Sequence, residues 1–252
     1  MSPRRSIYPP AAVDWMIPDR DRTVLDVGSG SGAFAAMIAA AGHRVHCVDP
    51  DTAKVWEITN RLQTPLHVVG KAESLPFDSC RFDVVTVQES ITRFAPGLAL
   101  AEFARVLKPG GQLAVVFNSR DDTVPWVKRL AKRMQADDPT AMQGDYGTET
   151  IAELEQSPYF FDLQNRNFRN WLPIDRPGLL AMVRNRPTIA KLPEEERQRL
   201  LDDVGALYDN SARAPEPLLL PFQASCWTAT VDHTELTMPI EGDGGLKITM
   251  DF

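Results

Sequence analysis

Apolar residues change their period several times along the chain, and the changes mark out its elements. Between 23 and 119, short β-branched runs alternate with helical stretches, the pattern of a parallel sheet covered on both faces. "TVLDVG" predicts the first strand, and "GAFAAMIAAAG" the helix behind it, closed by Gly42 as a glycine commonly closes a helix. "RVHCVDP" predicts strand two, stopped by Pro50, and a helix over 51–63 leads to strand three, "LHVVG". "FDVVTVQ" is strand four. "LALAEFARVLKPGG" reads as a helix with Ala101, Ala104, Val106 and Leu107 inward, ended by Pro109 and two glycines, before strand five, "QLAVVFN".

After Asn118 the rhythm changes. "VPWVKRLAKRMQ" carries Val127, Leu130, Ala131 and Met134 on one stripe and Lys128, Arg129, Lys132 and Arg133 opposite, an amphipathic helix. "FFDLQNRNFRNW" and "LLLPFQASCWTATV" predict two more strands, with helices near 176–186 and 193–208 between them. Glu194, Glu195 and Glu196 lie at the start of the second helix, facing the positive end of its dipole. In the tail, Leu246, Ile248, Met250 and Phe252 alternate after the turn "EGDGG", so a C-terminal hairpin is expected. The whole is an α/β chain: a doubly wound, seven-stranded, mostly parallel sheet with a helical lid and a hairpin extension. It divides into a cover segment (1–22), a cofactor-binding half (23–119), a substrate-side half (120–231) with its lid at 173–209, and a tail (232–252).

Composition narrows the function. The 252 residues, 43% of them hydrophobic, suffice for one α/β core. A net charge of -7 and a pI near 5.2 leave no broad cationic field for nucleic acid. Cys47, Cys80 and Cys226 are widely spaced, and His43, His46, His67 and His233 form no metal constellation, so no metal site and no disulfide framework are expected. No segment approaches a secretory signal or a membrane span, and a cytoplasmic location without stable membrane insertion is expected.

The chemistry concentrates in "VLDVGSGSGAF", residues 24–34. A strand running into a glycine turn and then a helix makes a nucleotide-binding corner: Gly28 and Gly30 let the backbone approach a ligand, and Gly32 lets the helix pack close. A phosphate-binding Walker loop requires Lys and Ser/Thr after its last glycine, but Ala33 and Phe34 follow here; the nucleophile elbow requires a central Ser where this chain has Gly30. The dinucleotide spacing is one residue short, which disfavours an NAD-type oxidoreductase. Asp26 precedes the loop, where a pyrophosphate would repel it, and Asp49 ends strand two, where an acid grasps ribose hydroxyls. A phosphate-free ribose ligand with positive groups suits both acids, and S-adenosylmethionine is one.

"VLDVGSGSG", "VDP", "KAESLPFDSCRFDVV" and "RVLKPGGQLAVV", in that order, resemble the class I S-adenosylmethionine-dependent methyltransferases. The nearest likeness is the type 11 group, which includes quinone- and small-acid-methylating enzymes. The resemblance implies a Rossmann-like methyltransferase fold and S-adenosylmethionine as cofactor, with S-adenosylhomocysteine as product. It further implies that Asp26 and the backbone of Gly28, Ser29 and Gly30 hold the methionine end. Asp49 would take the ribose, Pro50 would lie along the adenine, Ala72 and Glu73 would border it, and Gln88 would reach the methionyl moiety. Tyr8, in "SIYPPAAVDW", matches a "YP" stretch that precedes the first strand in many relatives and covers the cofactor.

On the acceptor side the chain departs from its relatives, with Thr92 and Arg93 where they often carry His-Trp. Glu89 as proton acceptor and Arg93 as clamp for an acidic substrate are the candidates to replace it. Arg120, Asp121 and Trp126 follow strand five at the carboxyl edge and are expected to floor the acceptor pocket. Two functions result: methyl transfer to a small organic acceptor, at oxygen, nitrogen or carbon; or a cofactor-binding module of this fold without transfer, in a regulatory or assembly role. The tail is expected to dock on the main sheet or on a second subunit, the latter giving a homodimer.

Overall fold

The computed structural model describes residues 8–61, 66–121, 123–139, 141, 148–213 and 215–237; most of the expected tail hairpin, including Leu246 to Phe252, lies outside them. Seven strands form one sheet: β1 (Thr23–Val27), β2 (Arg44–Asp49), β3 (Leu66–Val69), β4 (Phe82–Gln88), β5 (Leu107–Arg120), β6 (Phe160–Ile174) and β7 (Leu218–Val231). The helices are α1 (Pro10–Met16), α2 (Ala33–Ala40), α3 (Thr52–Arg61), α4 (Pro96–Val106), α5 (Pro125–Gln135), α6 (Thr148–Glu155), α7 (Arg176–Arg184), α8 (Pro187–Ala190), α9 (Glu194–Ser211) and α10 (Thr234–Thr237).

The strand order is β3-β2-β1-β4-β5-β7-β6. β7 runs antiparallel to both of its neighbours, while the β1–β2, β1–β4, β2–β3 and β4–β5 pairs are parallel. One face buries Phe82, Phe103, Leu113, Ile151 and Leu154, beneath α4 and α6. The other buries Val13, Met16, Phe34, Ile38 and Ile58, beneath α1, α2 and α3. Residues of β1 and β4 are therefore apolar on both faces, which is why "TVLDV" and "FDVVTVQ" read as continuous runs rather than alternations.

The boundary between α4 and β5 differs from the sequence expectation. The helix ends at Val106, and Leu107, at φ -73 and ψ 141, already belongs to the strand. Leu107 pairs with Phe82, and Gln112 with Val84, so Lys108–Gly111 bulge out of the ladder. Pro109 has no N–H to extend the helix, and Gly110 at φ +73 makes the reversal. Phe103 is the buried anchor of α4, while Ala101 is only half-buried.

β4 ends at Gln88, level with Val116, Cys226 and Arg166. β6 and β7 continue to the pair Ile174–Leu218, about 26 Å farther on. A third core fills one face of this projection: Trp126, Leu130, Leu179, Val183, Leu200 and Val204 pack on Leu218 and Leu220. The helices expected as a lid, together with α5, are thus a cap with its own interior. α7 starts where Asp175 accepts from the Gly178 N–H (2.8 Å) with Pro177 in the first turn, both legible in "DRPG".

Candidate active site

Strand order reverses between β1 and β4, so the connections after them diverge and leave a crevice at the carboxyl edge. The glycine loop lines it. Gly28, Gly30 and Gly32 all have positive φ, but their surroundings differ. A Cβ on Gly28 would lie 2.6 Å from Ser90 Oγ, and one on Gly32 2.9 Å from Ile58 Cγ1. Those two glycines serve packing against the residues after β4 and against α3. A Cβ on Gly30 would meet nothing nearer than the Gly28 carbonyl oxygen at 4.0 Å. The open space beside the backbone is at Gly30.

Four of the loop's amides are spoken for. Gly28 and Ser29 N–H donate to the Val48 carbonyl (2.8 and 3.3 Å), and Gly32 N–H to Ser29 O (2.9 Å). Gly30 N–H donates to Asp49 Oδ2 (2.9 Å). The backbone of Gly28, Ser29 and Gly30 thus has carbonyl oxygens rather than N–H donors to offer. That suits a cation and disfavours a phosphate.

Asp26 is fully buried. Its Oδ1 accepts from Thr86 Oγ1 at 2.9 Å, while Oδ2 is buried with no partner. Burial pushes this carboxyl up to about 7, opposed by the Thr86 and Ser29 hydroxyls and reinforced slightly by the charge of Asp49. An orphaned carboxylate oxygen is costly unless a donor arrives. Asp49 is 7% exposed; its Oδ1 accepts from Asp51 N–H at 2.9 Å, so each oxygen already holds one backbone donor. The remaining lone pairs on those oxygens can take hydroxyls.

The expected adenine neighbours are less uniform. Pro50 is exposed beside Asp49 and Ala72 is buried, while Glu73 Oε1 accepts the Ala95 N–H (2.9 Å). Glu73 therefore ties the segment after β3 to the start of α4.

At the end of β4 the structure brings together Tyr8, Gln88 and Glu89. The Tyr8 hydroxyl donates to Glu89 Oε1 at 3.1 Å, and its ring stacks edge-on to Phe34 of α2, centroids 5.3 Å apart. Burial first, then the Glu89 charge, push the Tyr8 phenol far up, so it stays protonated. Glu89 is exposed and sits at φ +50, a left-handed conformation that costs a glutamate about 1 kcal/mol. Arg93 does not join this group: it is exposed on the short 3₁₀ turn Ile91–Arg93.

The residues expected to floor the acceptor pocket have other contacts in the structure. Trp126 is buried inside the cap core, anchoring α5. Asp121 accepts from Thr123 N–H and Oγ1 (3.1 and 2.5 Å), and its own N–H reaches the Pro221 carbonyl (3.1 Å), so it shapes the turn out of β5. The Arg120 backbone pairs with Phe222, while its side chain lies outside the described set. Sequence reasoning missed Thr86 and Ser90, which support Asp26 and back Gly28. A lone hydroxyl inside "VVTVQ" was the available signal for Thr86.

A crevice at the switch point, lined by a glycine loop and two buried acids, defines a doubly wound α/β protein with its candidate ligand site at the carboxyl edge of the sheet. Comparison with known proteins specifies it. A profile described as a methyltransferase domain matches residues 25–115. An uncharacterised methyltransferase of Mycobacterium tuberculosis is 30% identical over 230 residues, 90% of each chain. A demethylmenaquinone methyltransferase of Beutenbergia cavernae is 29% identical over 161 residues, 64% of this chain and 62% of that one. A protein of Anaeromyxobacter dehalogenans assigned as a type II methyltransferase has the same fold, with TM-score 0.64 at 21% identity, over 90% of this chain and 97% of that one. The chain belongs to the S-adenosylmethionine-dependent methyltransferase family.

Proposed function

We propose that this protein passes the methyl group of S-adenosylmethionine to a small organic acceptor. The observation that carries the reading is the buried, unpartnered Asp26 Oδ2 next to Gly28, Ser29 and Gly30, whose amides are already taken. An ammonium, directly or through a water, supplies what that oxygen lacks. The first turn of α2, which has no side-chain cap, is suited to the carboxylate of the same amino-acid end. Asp49 would take the ribose hydroxyls, with Pro50 and Ala72 beside the base, and Gln88 would face the methionyl chain.

When bound, the cofactor supplies a methyl already activated by its sulfonium, so the protein's work is alignment, exclusion of water and removal of a proton. Glu89 is the candidate for the last task; Arg93, turned to solvent, is assigned none. The likeness to a demethylmenaquinone methyltransferase makes quinol rings the first acceptors to try, followed by small carboxylic acids. Calorimetry tests the foundation: micromolar binding of S-adenosylmethionine or S-adenosylhomocysteine is expected. No heat at millimolar ligand would remove the proposal, and tight binding with no labelled product from a broad acceptor panel would favour a binding module instead.

A further inference from the structure

The Tyr8 hydroxyl has no packing reason to exist. Its ring is 2% exposed and wedged on Phe34, a place that phenylalanine would fill without a buried polar atom to satisfy. What the hydroxyl adds is polar: it donates to Glu89 Oε1 (3.1 Å), and the Gln88 side chain hydrogen-bonds the phenol oxygen as well. Glu89 in turn keeps its N–H on the Val116 carbonyl (3.0 Å), continuing the β4–β5 ladder, while its left-handed φ takes the side chain out of the strand's alternation. An exposed glutamate ordinarily samples many rotamers. Here one oxygen is pinned by a phenol rooted in the core, and among the described residues Oε2 holds no hydrogen bond.

We propose that Tyr8 is a positioning residue that fixes Glu89 to receive a proton, and hence that the acceptor is a nucleophile that sheds a proton: a hydroxyl, an enol or an amine N–H. This rests on the methyltransferase reading above. In the balanced step, the acceptor atom forms a bond to the methyl carbon and the electron pair of the broken carbon–sulfur bond stays on sulfur. The acceptor's proton passes to Glu89 Oε2, and the neutral acid then returns it to solvent, to which Glu89 is exposed. An acceptor with no proton to lose would make no use of this arrangement.

The test uses the full chain with Tyr8→Phe, Glu89→Gln and the double variant. Calorimetry with S-adenosylhomocysteine should give affinities within about threefold of wild type for all three. With catechol, a hydroquinone and a primary amine as probes, kcat should fall about 100-fold in E89Q and at least about tenfold in Y8F. KM should be little changed, and the double variant should be no slower than E89Q. Without any acceptor, near-ultraviolet difference absorption should show the tyrosine band moving to shorter wavelength on E89Q substitution, and no such change when E89Q is made in the Y8F background. A Y8F enzyme within twofold of wild type, additive losses in the double variant, or no tyrosine band shift would overturn the positioning role while leaving methyl transfer standing. A tenfold loss of cofactor affinity in Y8F with kcat intact would assign Tyr8 to the cofactor instead. A wild type that binds cofactor yet methylates no probe would sink the enzymatic reading itself, and Tyr8's role with it.

Discussion

Three glycines with similar backbone angles do three different jobs, and substitution separates them. Gly30→Ala places a methyl in open space, so only its left-handed φ of +55° opposes it, at roughly 1 kcal/mol. It should leave the fold intact and cut affinity for S-adenosylmethionine at least about tenfold by calorimetry. Gly28→Ala forces a Cβ to 2.6 Å from Ser90 Oγ; a loss of about 2–3 kcal/mol in urea unfolding is expected from overpacking alone. The glycine spacing was legible in the sequence; which glycine stands beside open space was not. That distinction depends on Ser90 and Ile58, which lie 62 and 26 positions downstream of the glycines they touch.

Strands and helices were legible where a single periodicity ran unbroken, as in "TVLDV" and the stripe of α5. They were not where the period changed without a breaker. α4 passes into β5 at Leu107 ahead of Pro109, because pairing of Leu107 with Phe82 outweighs another helical turn. The cap shows the same limit. Asp138, 2% exposed, accepts from Arg186 Nε and Nη2 (3.1 and 2.8 Å) and from Thr188 Oγ1 (2.6 Å), pinning the start of α8 to the end of α5. Asp138→Ala would strand that arginine, and a loss of about 3 kcal/mol in urea unfolding is expected. Affinity for S-adenosylhomocysteine should change less than threefold, because Asp26, Gly30 and Asp49 stand on other elements.

Proton binding links the crevice to the stability of the entire fold. Asp26 goes from an ordinary carboxyl near 3.8 in the unfolded chain to about 7 in the folded one. Its contribution is therefore most favourable below pH 4 and is lost as pH rises to 7, a difference of roughly 4 kcal/mol at most. A cationic ligand should favour the ionised form. We expect the affinity for S-adenosylmethionine to strengthen up to about tenfold between pH 6 and 8, with proton release at pH 6 visible as a buffer-dependent enthalpy. Asp26→Asn should abolish both effects, weaken binding, and raise the melting temperature of the ligand-free protein at pH 8. Unchanged affinity across that pH range would refute the assignment of Asp26 to the ligand.

The order of strands and helices, the glycine corner and its two acids follow from local patterning, since periodicity and turn chemistry depend on near neighbours in the chain. The pairing of Tyr8 with Glu89, 81 positions apart, does not; nor do the orphaning of Asp26 Oδ2 and the burial of Trp126 in the cap. Each of these depends on which distant surfaces meet, and in a doubly wound sheet that is settled by packing across layers. The fold family could therefore be read from linear motifs, whereas the polarity of the crevice emerged only once the amides of Gly28, Ser29, Gly30 and Gly32 had found their partners in space.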